Sequence, residues 1–189
     1  MSDAVIATGV VAVAVFGFAP QNSAMLAAGA ERTLKPVFDG IVSSLCGVLL
    51  LFALALAALY SLPLWLSKVS MVLASLLLAL AGLSRYLNAP DTGHPTATAG
   101  SWLPSQTLRN PESWAVAVFL AGSTLNGSVT LAAAFAGLTV LTAFALAVWA
   151  IAGWSGCAYL TSGWHRRHLD WAFGILMVVA ALASLVPAV

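Results

Sequence analysis

The chain has 189 residues, 61% of them hydrophobic and 7% charged, with a mean hydropathy of +1.00 and a net charge of +1. A water-soluble domain carries roughly a quarter charged residues, so this chain has too little charge to cover a surface in water and belongs in lipid. With a near-neutral balance and no Arg/Lys stripe, nothing points to a nucleic-acid partner.

The only early charge is Asp3, where a secretory signal would carry Lys or Arg, so Val5 onward reads as a retained first span. A helix needs about 20 mainly apolar residues to cross the hydrocarbon. Residues 4–30 carry no charge and predict span 1. Within it lies "FGFAPQNSAML", Phe16 to Leu26, with Pro20 followed by Gln21, Asn22 and Ser23. Proline cannot donate a backbone hydrogen bond, and its ring clashes with the carbonyl four residues earlier. In lipid a freed carbonyl must find another donor. One reading is a kink repaired by the three polar side chains. The other is a discontinuous helix whose exposed backbone groups line a solute pathway.

Residues 40–67 predict span 2 and residues 69–84 predict span 3, with Lys68 snorkelling at one end. Asp39 begins span 2. It is either a first-turn dipole partner or an ionisable group at the mouth of a pathway. Residues 86–110 are polar, and the part to about 101 reads as a Pro/Gly/Thr-rich loop. From Trp102, "SWLPSQTL" is apolar enough to turn back as a half-helix, with Gln106 inside it. "RNPESW" then opens span 4. Asn110 suits an N-cap, Pro111 the first helical position, and Glu112 the first turn. An ordinary interfacial helix start would look the same, and so would a second break facing the first.

Residues 113–165 run 53 positions without Asp, Glu, Lys or Arg. The turn signal Asn126-Gly127-Ser128 divides them into spans 4 and 5. "TSGWHRRHLD" reads as a loop, and residues 171–187 as span 6. Six spans place Arg32, Lys35, Arg85, Arg109, Arg166 and Arg167 on one side and only Lys68 on the other. The positive-inside rule then puts both termini outside the cytoplasm. Three spans per half gives the halves opposite orientations, as an inverted repeat requires. The expected fold is therefore all-α, a single membrane domain with repeat A at about 4–86, a cytoplasmic loop at about 87–101 and repeat B at about 102–189.

This layout resembles the LysE/RhtB family of amino-acid exporters. Its members have about this length, six predicted spans, a proline-glycine-proline-asparagine motif in span 1, and an asparagine-proline motif, often followed by lysine, at span 4. Here "APQNS" (Ala19 to Ser23) and "RNPESW" stand at those places, and "DWAFGILMVVAALASLVP" is similar to the glycine-bearing last span. Pro20 matches in register, Asn22 with a shift of one residue, and Glu112 replaces the lysine with the opposite charge. The resemblance implies an inner-membrane antiporter that exports a small amphipathic solute, an amino acid or derivative. Pro20, Asn110 and Pro111 would interrupt facing helices. Gln21, Asn22, Ser23 and Gln106 would supply hydrogen bonds, and Asp39 or Glu112 would carry the coupling proton.

Membrane lipids are the other expected partners, and the small residues of span 5 read either as tight packing within the bundle or as the face of a homodimer. No cofactor is implied. His165 and His168 lack a third strong metal ligand and flank two arginines, so they read as a basic loop over anionic lipid. Trp102, Trp114, Trp154, Trp164 and Trp171 fall near span ends, as an aromatic belt does. Cys46 and Cys157 read as buried thiols. Their rival role is a membrane thiol–disulfide relay, which needs the two to meet. A non-transporting accessory protein is a further alternative. No HExxH, GxSxG or paired-Asp motif supports an enzyme.

Overall fold

The computed structural model describes residues 3–17, 19–87, 107–156 and 163–185, and no strand occurs among them. Among these residues seven helices follow in order: α1 (Asp3–Phe16), α2 (Pro20–Ala30), α3 (Leu34–Tyr60), α4 (Leu64–Leu87), α5 (Pro111–Leu125), α6 (Leu131–Trp154) and α7 (Gly163–Leu185). Helices α3, α4 and α6, with residues 167–185 of α7, are long and apolar enough to cross a membrane. The pair α1–α2, bent by 54° at its break, makes a fifth such element if counted as one span. Helix α5, with 15 residues, is too short by itself.

Burial is distributed as lipid demands. Leu50, Leu54, Leu77, Leu80, Phe135, Val140, Ile151 and Val179 are exposed, whereas Asn22, Ser44, Ser67, Ser75, Thr107 and Thr142 are buried. In water the exposed set would make apolar patches far beyond those of a soluble monomer. Helices that are apolar all round are membrane or core helices, and here the apolar side faces out.

Several predicted boundaries move, and α3 begins at Leu34 rather than at 40, so Asp39 lies past its first turn and is not the first-turn dipole partner expected. Span 2 was placed at 40–67, but α3 ends at Tyr60 and the chain turns over Ser61, Leu62 and Pro63. Pro63 has no N–H to continue the ladder of α3 and instead precedes α4, its carbonyl accepting from Leu66 and Ser67. Lys68 therefore lies one turn inside α4. The segment "GWHRRHLD", read as loop, is the first two turns of α7. It is polar but contains no breaker, so the apolar boundary and the helix boundary separate. The turn at Asn126-Gly127-Ser128 falls where predicted, with Gly127 at φ 77° supplying the left-handed residue. Thr130 then caps α6 by accepting from Ala133 N at 3.2 Å.

Small residues set the packing. A Cβ on Gly29 would meet the backbone carbonyl of Ala150, and one on Gly153 would meet that of Leu26, both well inside van der Waals contact. Gly82 and Gly174 do the same to each other, at 2.7 and 2.6 Å from the opposing carbonyls. Without such side chains α2 approaches α6, and α4 approaches α7, backbone to backbone. Gly153→Ala is expected to destabilise by about 1–3 kcal/mol, since no flexible side chain can yield. Gly137→Ala, in open space on the same helix, should be neutral or gain about 0.5–1 kcal/mol. Thermal melts of the detergent-solubilised variants check the contrast, and equal effects would contradict it.

Helix directions follow from pairs of contacts. Arg85 meets Glu112 while Met71 meets Ser123, so α4 and α5 run antiparallel. Gly82 meets Gly174 while Ser75 meets Ser184, so α4 and α7 also run antiparallel. The rings of Phe16 and Phe144 lie 5.8 Å apart at the end of α1, whereas Leu26 meets Gly153 and Gly29 meets Ala150, so α2 crosses α6 against its direction. The principal packing pairs are α2 with α6, α3 with α5, α1 with α7, α4 with α5, α4 with α7 and α3 with α6. Exchanging α1–α2 with α5, α3 with α6, and α4 with α7 maps this set onto itself.

Candidate functional site at the two helix breaks

The first break spans Gly17 to Ala19. Helix α1 ends there, and its last carbonyls lack the N–H four residues on that a continuing helix would supply. Asn22 answers this directly. Its side-chain amide donates to Val15 O at 2.7 Å and Gly17 O at 2.6 Å, and the residue is fully buried. Trp149, from α6, donates its indole N–H to Phe16 O at 3.2 Å. Three successive carbonyls thus have donors from side chains. Ser23 turns inward on its own helix, its hydroxyl donating to Pro20 O at 2.8 Å. Asn22 and Ser23, both expected at a solute pathway, are engaged in closing the backbone. Gln21 is not: its carbonyl oxygen accepts from the Thr107 hydroxyl at 3.3 Å.

The second break is built the same way. Residues 107–109 form a helical turn, and Asn110 interrupts it in extended conformation (φ −80°, ψ 114°). The Asn110 side chain accepts from Glu112 N at 3.1 Å, and Pro111 occupies the first helical position. Trp114 donates its indole N–H back to Leu108 O at 2.7 Å. Each break therefore has a tryptophan donating to a carbonyl just ahead of it. Trp114, expected only as part of the aromatic belt, has this bond as well.

The two breaks meet in the middle of the bundle. A Cβ on Gly47, the midpoint of α3, would lie 3.2 Å from Thr107 Cβ. Thr107 in turn holds Gln21, which follows Pro20. Arg85, from α4, closes the junction. Its Nε donates to Glu112 Oε1 at 2.9 Å and its Nη2 to Glu112 Oε2, a two-pronged ion pair with side chains only 14% and 15% exposed. The third guanidinium nitrogen, Nη1, is buried and has no hydrogen-bond partner among the described residues. It presses on Gly17, where a Cβ would collide with it. One cation thus touches the first break and binds the second. A cavity of about 30 Å³ lies alongside, lined by Gln21, Asn110, Glu112 and Ser113. That is room for about one or two waters.

Of the predicted site residues, Pro20, Gln21, Asn22, Ser23, Asn110, Pro111 and Glu112 fall in or beside this cluster. Asp39 does not: it is exposed on α3, eight residues (about 12 Å of helix rise) before Gly47. Gln106, Cys157, the loop at about 87–101 and most of the half-helix expected from Trp102 lie outside the described residues, as does the side chain of His165. Cys46 was expected to be buried, but it is exposed on α3. It points outward because the inward face there belongs to Gly47, against Thr107. His168 stacks on Trp171 with Arg167 over the same ring. Asp170, read as a loop or interface residue, is buried in α7. No group of three metal-ligating side chains occurs among the described residues.

Arg85, Thr107 and Trp149 were not anticipated. Arg85 had been counted as a topology charge at the end of span 3. The signal that could have singled it out is its sign, opposite to that of Glu112. Comparison with family models, with curated proteins and with solved structures finds no match.

Proposed function

We propose that this chain is a secondary transporter that exports a small zwitterion, a neutral amino acid or a derivative, on the plan of the LysE/RhtB family. One observation carries the reading: a buried Arg85–Glu112 ion pair held between two helix breaks at the middle of the bundle. An opened pair of this kind is the complement of a zwitterion. The solute carboxylate replaces Glu112 on the guanidinium, and the solute ammonium replaces Arg85 on the carboxylate. Neither buried charge is left alone, which would be strongly unfavourable in lipid. The unpartnered Nη1 of Arg85 and the Gln21 amide add donors for the carboxylate.

In this reading the closed pair, with space for water alone beside it, is the empty occluded form. Proton coupling follows from competition. A proton on Glu112 removes the charge that holds the ammonium, so proton and solute exclude each other at one carboxylate. That exclusion is the condition for exchange. Glu112, rather than the exposed Asp39, takes the coupling role.

The same reading takes the chain as six spans in two inverted halves. The turn at 107–109 ahead of Asn110 then makes α5 the second part of a broken span, as α2 is of the first. Support comes from the packing set that maps onto itself when the halves are exchanged. The spacing from Pro20 to Pro111 also recurs, to within one residue, from Gly82 to Gly174. The lopsided cations favour both termini outside the cytoplasm, and the family resemblance favours a bacterial inner membrane.

Efflux from proteoliposomes tests this. Vesicles loaded with a mixed amino-acid pool are given an inward proton gradient, and the released solutes are identified by mass spectrometry. Selective, gradient-dependent efflux is expected. Gln21→Ala should slow it about 2–10-fold, and Glu112→Gln should uncouple it from the gradient. No efflux above protein-free vesicles, from protein with a normal melt, would overturn the proposal.

A further inference from the structure

The end of the bundle away from the breaks holds a second, larger cavity of about 490 Å³. It is a cleft between Ile6, at the start of α1, and the first turns of α4, which supply Lys68, Val69, Val72 and Leu73. Phe119 of α5 lines it as well. Helices α1 and α4 both pack on α7 but are not a principal pair with each other. The cleft is open along α4, where Val69 and Leu73 are 43% and 54% exposed.

Aromatic side chains fix its depth. Tyr60 and Trp65, on either side of the turn between α3 and α4, are both exposed, as aromatic residues are at the level of lipid headgroups. Lys68 follows Trp65 by one turn and stands at the rim. Helices α4 and α5 run antiparallel with Met71 beside Ser123, so Phe119 lies one turn further from that rim. The cleft therefore runs from headgroup level into the hydrocarbon.

Its polar side chains are turned to partners within the protein. Ser123 Oγ donates to Phe119 O at 2.9 Å. Ser184 Oγ donates to Ala181 O at 2.6 Å and to Ser75 Oγ at 3.0 Å. The Asn126 amide donates to Gly122 O at 2.8 Å. What a guest meets is an apolar groove with one charge: Lys68 is exposed and makes no ion pair among the described residues. Apolar walls hold water poorly, and a void of this size would forfeit dispersion contacts along its whole lining. In a bilayer the group at hand to fill it is an acyl chain.

We infer that this cleft is the seat of an anionic phospholipid, with one acyl chain along Val72 and Phe119 and the phosphate on the Lys68 ammonium. The cation selects the headgroup, and the apolar depth selects the chain. Free phosphate meets only the first requirement, and a lipid without net charge only the second. Neither contact depends on what the chain transports.

Native mass spectrometry of the full chain tests this, after delipidation in a non-ionic detergent and titration with dioleoylphosphatidylglycerol. Dioleoylphosphatidylcholine keeps the chains without the net charge, and glycerol phosphate keeps the phosphate without the chains. Phosphatidylglycerol should bind about 5-fold more tightly than phosphatidylcholine, as one interfacial lysine is worth, and glycerol phosphate should not displace it. Lys68→Gln should erase that preference at an unchanged melting temperature. Lys35→Gln, also exposed but at the far end of α3, should keep it. Val72→Trp, which fills the cleft, should weaken both lipids about 10-fold or more.

A preference that survives Lys68→Gln would overturn the inference. So would undiminished lipid binding by Val72→Trp protein that melts normally. A dimer that Val72→Trp dissociates would also overturn it, because the cleft would then hold a second copy of the chain. Displacement of the lipid by glycerol phosphate would reduce the site to a surface charge. If Val72→Trp fails to fold, the contrast between Lys68→Gln and Lys35→Gln decides alone.

Discussion

Glu112→Ala is expected to destabilise the protein by about 3–5 kcal/mol, because it leaves the Arg85 guanidinium buried without its counter-charge. Arg85→Ala should cost a similar amount for the mirrored reason. Both side chains are mostly buried, so solvent screening gives little relief. The joint change Arg85→Leu with Glu112→Leu should recover most of the loss. Replacing a buried ion pair by packed apolar residues of similar size is often neutral or stabilising. Thermal melts of the parent, Arg85→Leu, Glu112→Leu and the joint change in one detergent make a double-mutant cycle. A cycle in which the two single losses simply add would show that the pair is not coupled. Efflux separates stability from function. In the transport reading the double-leucine protein folds and does not export, because the charges that a zwitterion would engage are gone. Export by that protein would remove Arg85 and Glu112 from the mechanism.

Asn22→Asp should be nearly as damaging, although it changes little in shape. Asn22 donates from one amide to two carbonyl oxygens, in a fully buried position. An aspartate offers no donor when ionised and one when protonated. It therefore either buries a charge facing two oxygens or spends the free energy of protonation and still leaves Val15 O or Gly17 O short of its donor. A loss of about 3–5 kcal/mol is expected. Asn22→Ala should lose less, about 1–3 kcal/mol for the stranded Val15 carbonyl, because Gly17 O keeps its bond from Ala19 N at 2.7 Å. The order of the two melts is the diagnostic. If alanine proved the worse substitution, packing volume rather than hydrogen bonding would be the role of Asn22.

These two cases show what could be read from the chain and what could not. The break at Pro20 and the start at Asn110-Pro111 were legible because proline acts locally, through a missing N–H and a fixed ring. The turn after Leu125 was legible for a similar reason, through Gly127. The helix end at Tyr60 was missed although Pro63 marks it, because charge was taken as the boundary and Lys68 lies a turn further on. What Asn22 does was undecided, since repairing a backbone and lining a pathway call for the same amide. Only the positions of Val15 O and Gly17 O assign it to repair. Arg85 stayed hidden because a cation at a span end is also what membrane topology requires. Its partner lies 27 residues away on the far side of the polar segment. Trp149 was invisible for another reason: α6 is apolar on every side, so no periodicity shows which face meets the break.

That separation of Arg85 from Glu112 bears on how the protein is made. Synthesis proceeds in order, so α4 enters the bilayer before Glu112 exists. An arginine at the centre of a membrane helix costs about 2.5–3.5 kcal/mol on insertion scales. Arg85 stands in the last turn of α4, from which a long side chain reaches the headgroups. Until the second half arrives, α4 is best accommodated with that turn near the water. Arrival of α5 supplies the anion and lets Arg85 fold down over Gly17. The ion pair therefore sets an order of biogenesis, in which the later half seats the last helix of the earlier one. A nascent chain stalled before Glu112 would hold α4 at a different height from the finished protein.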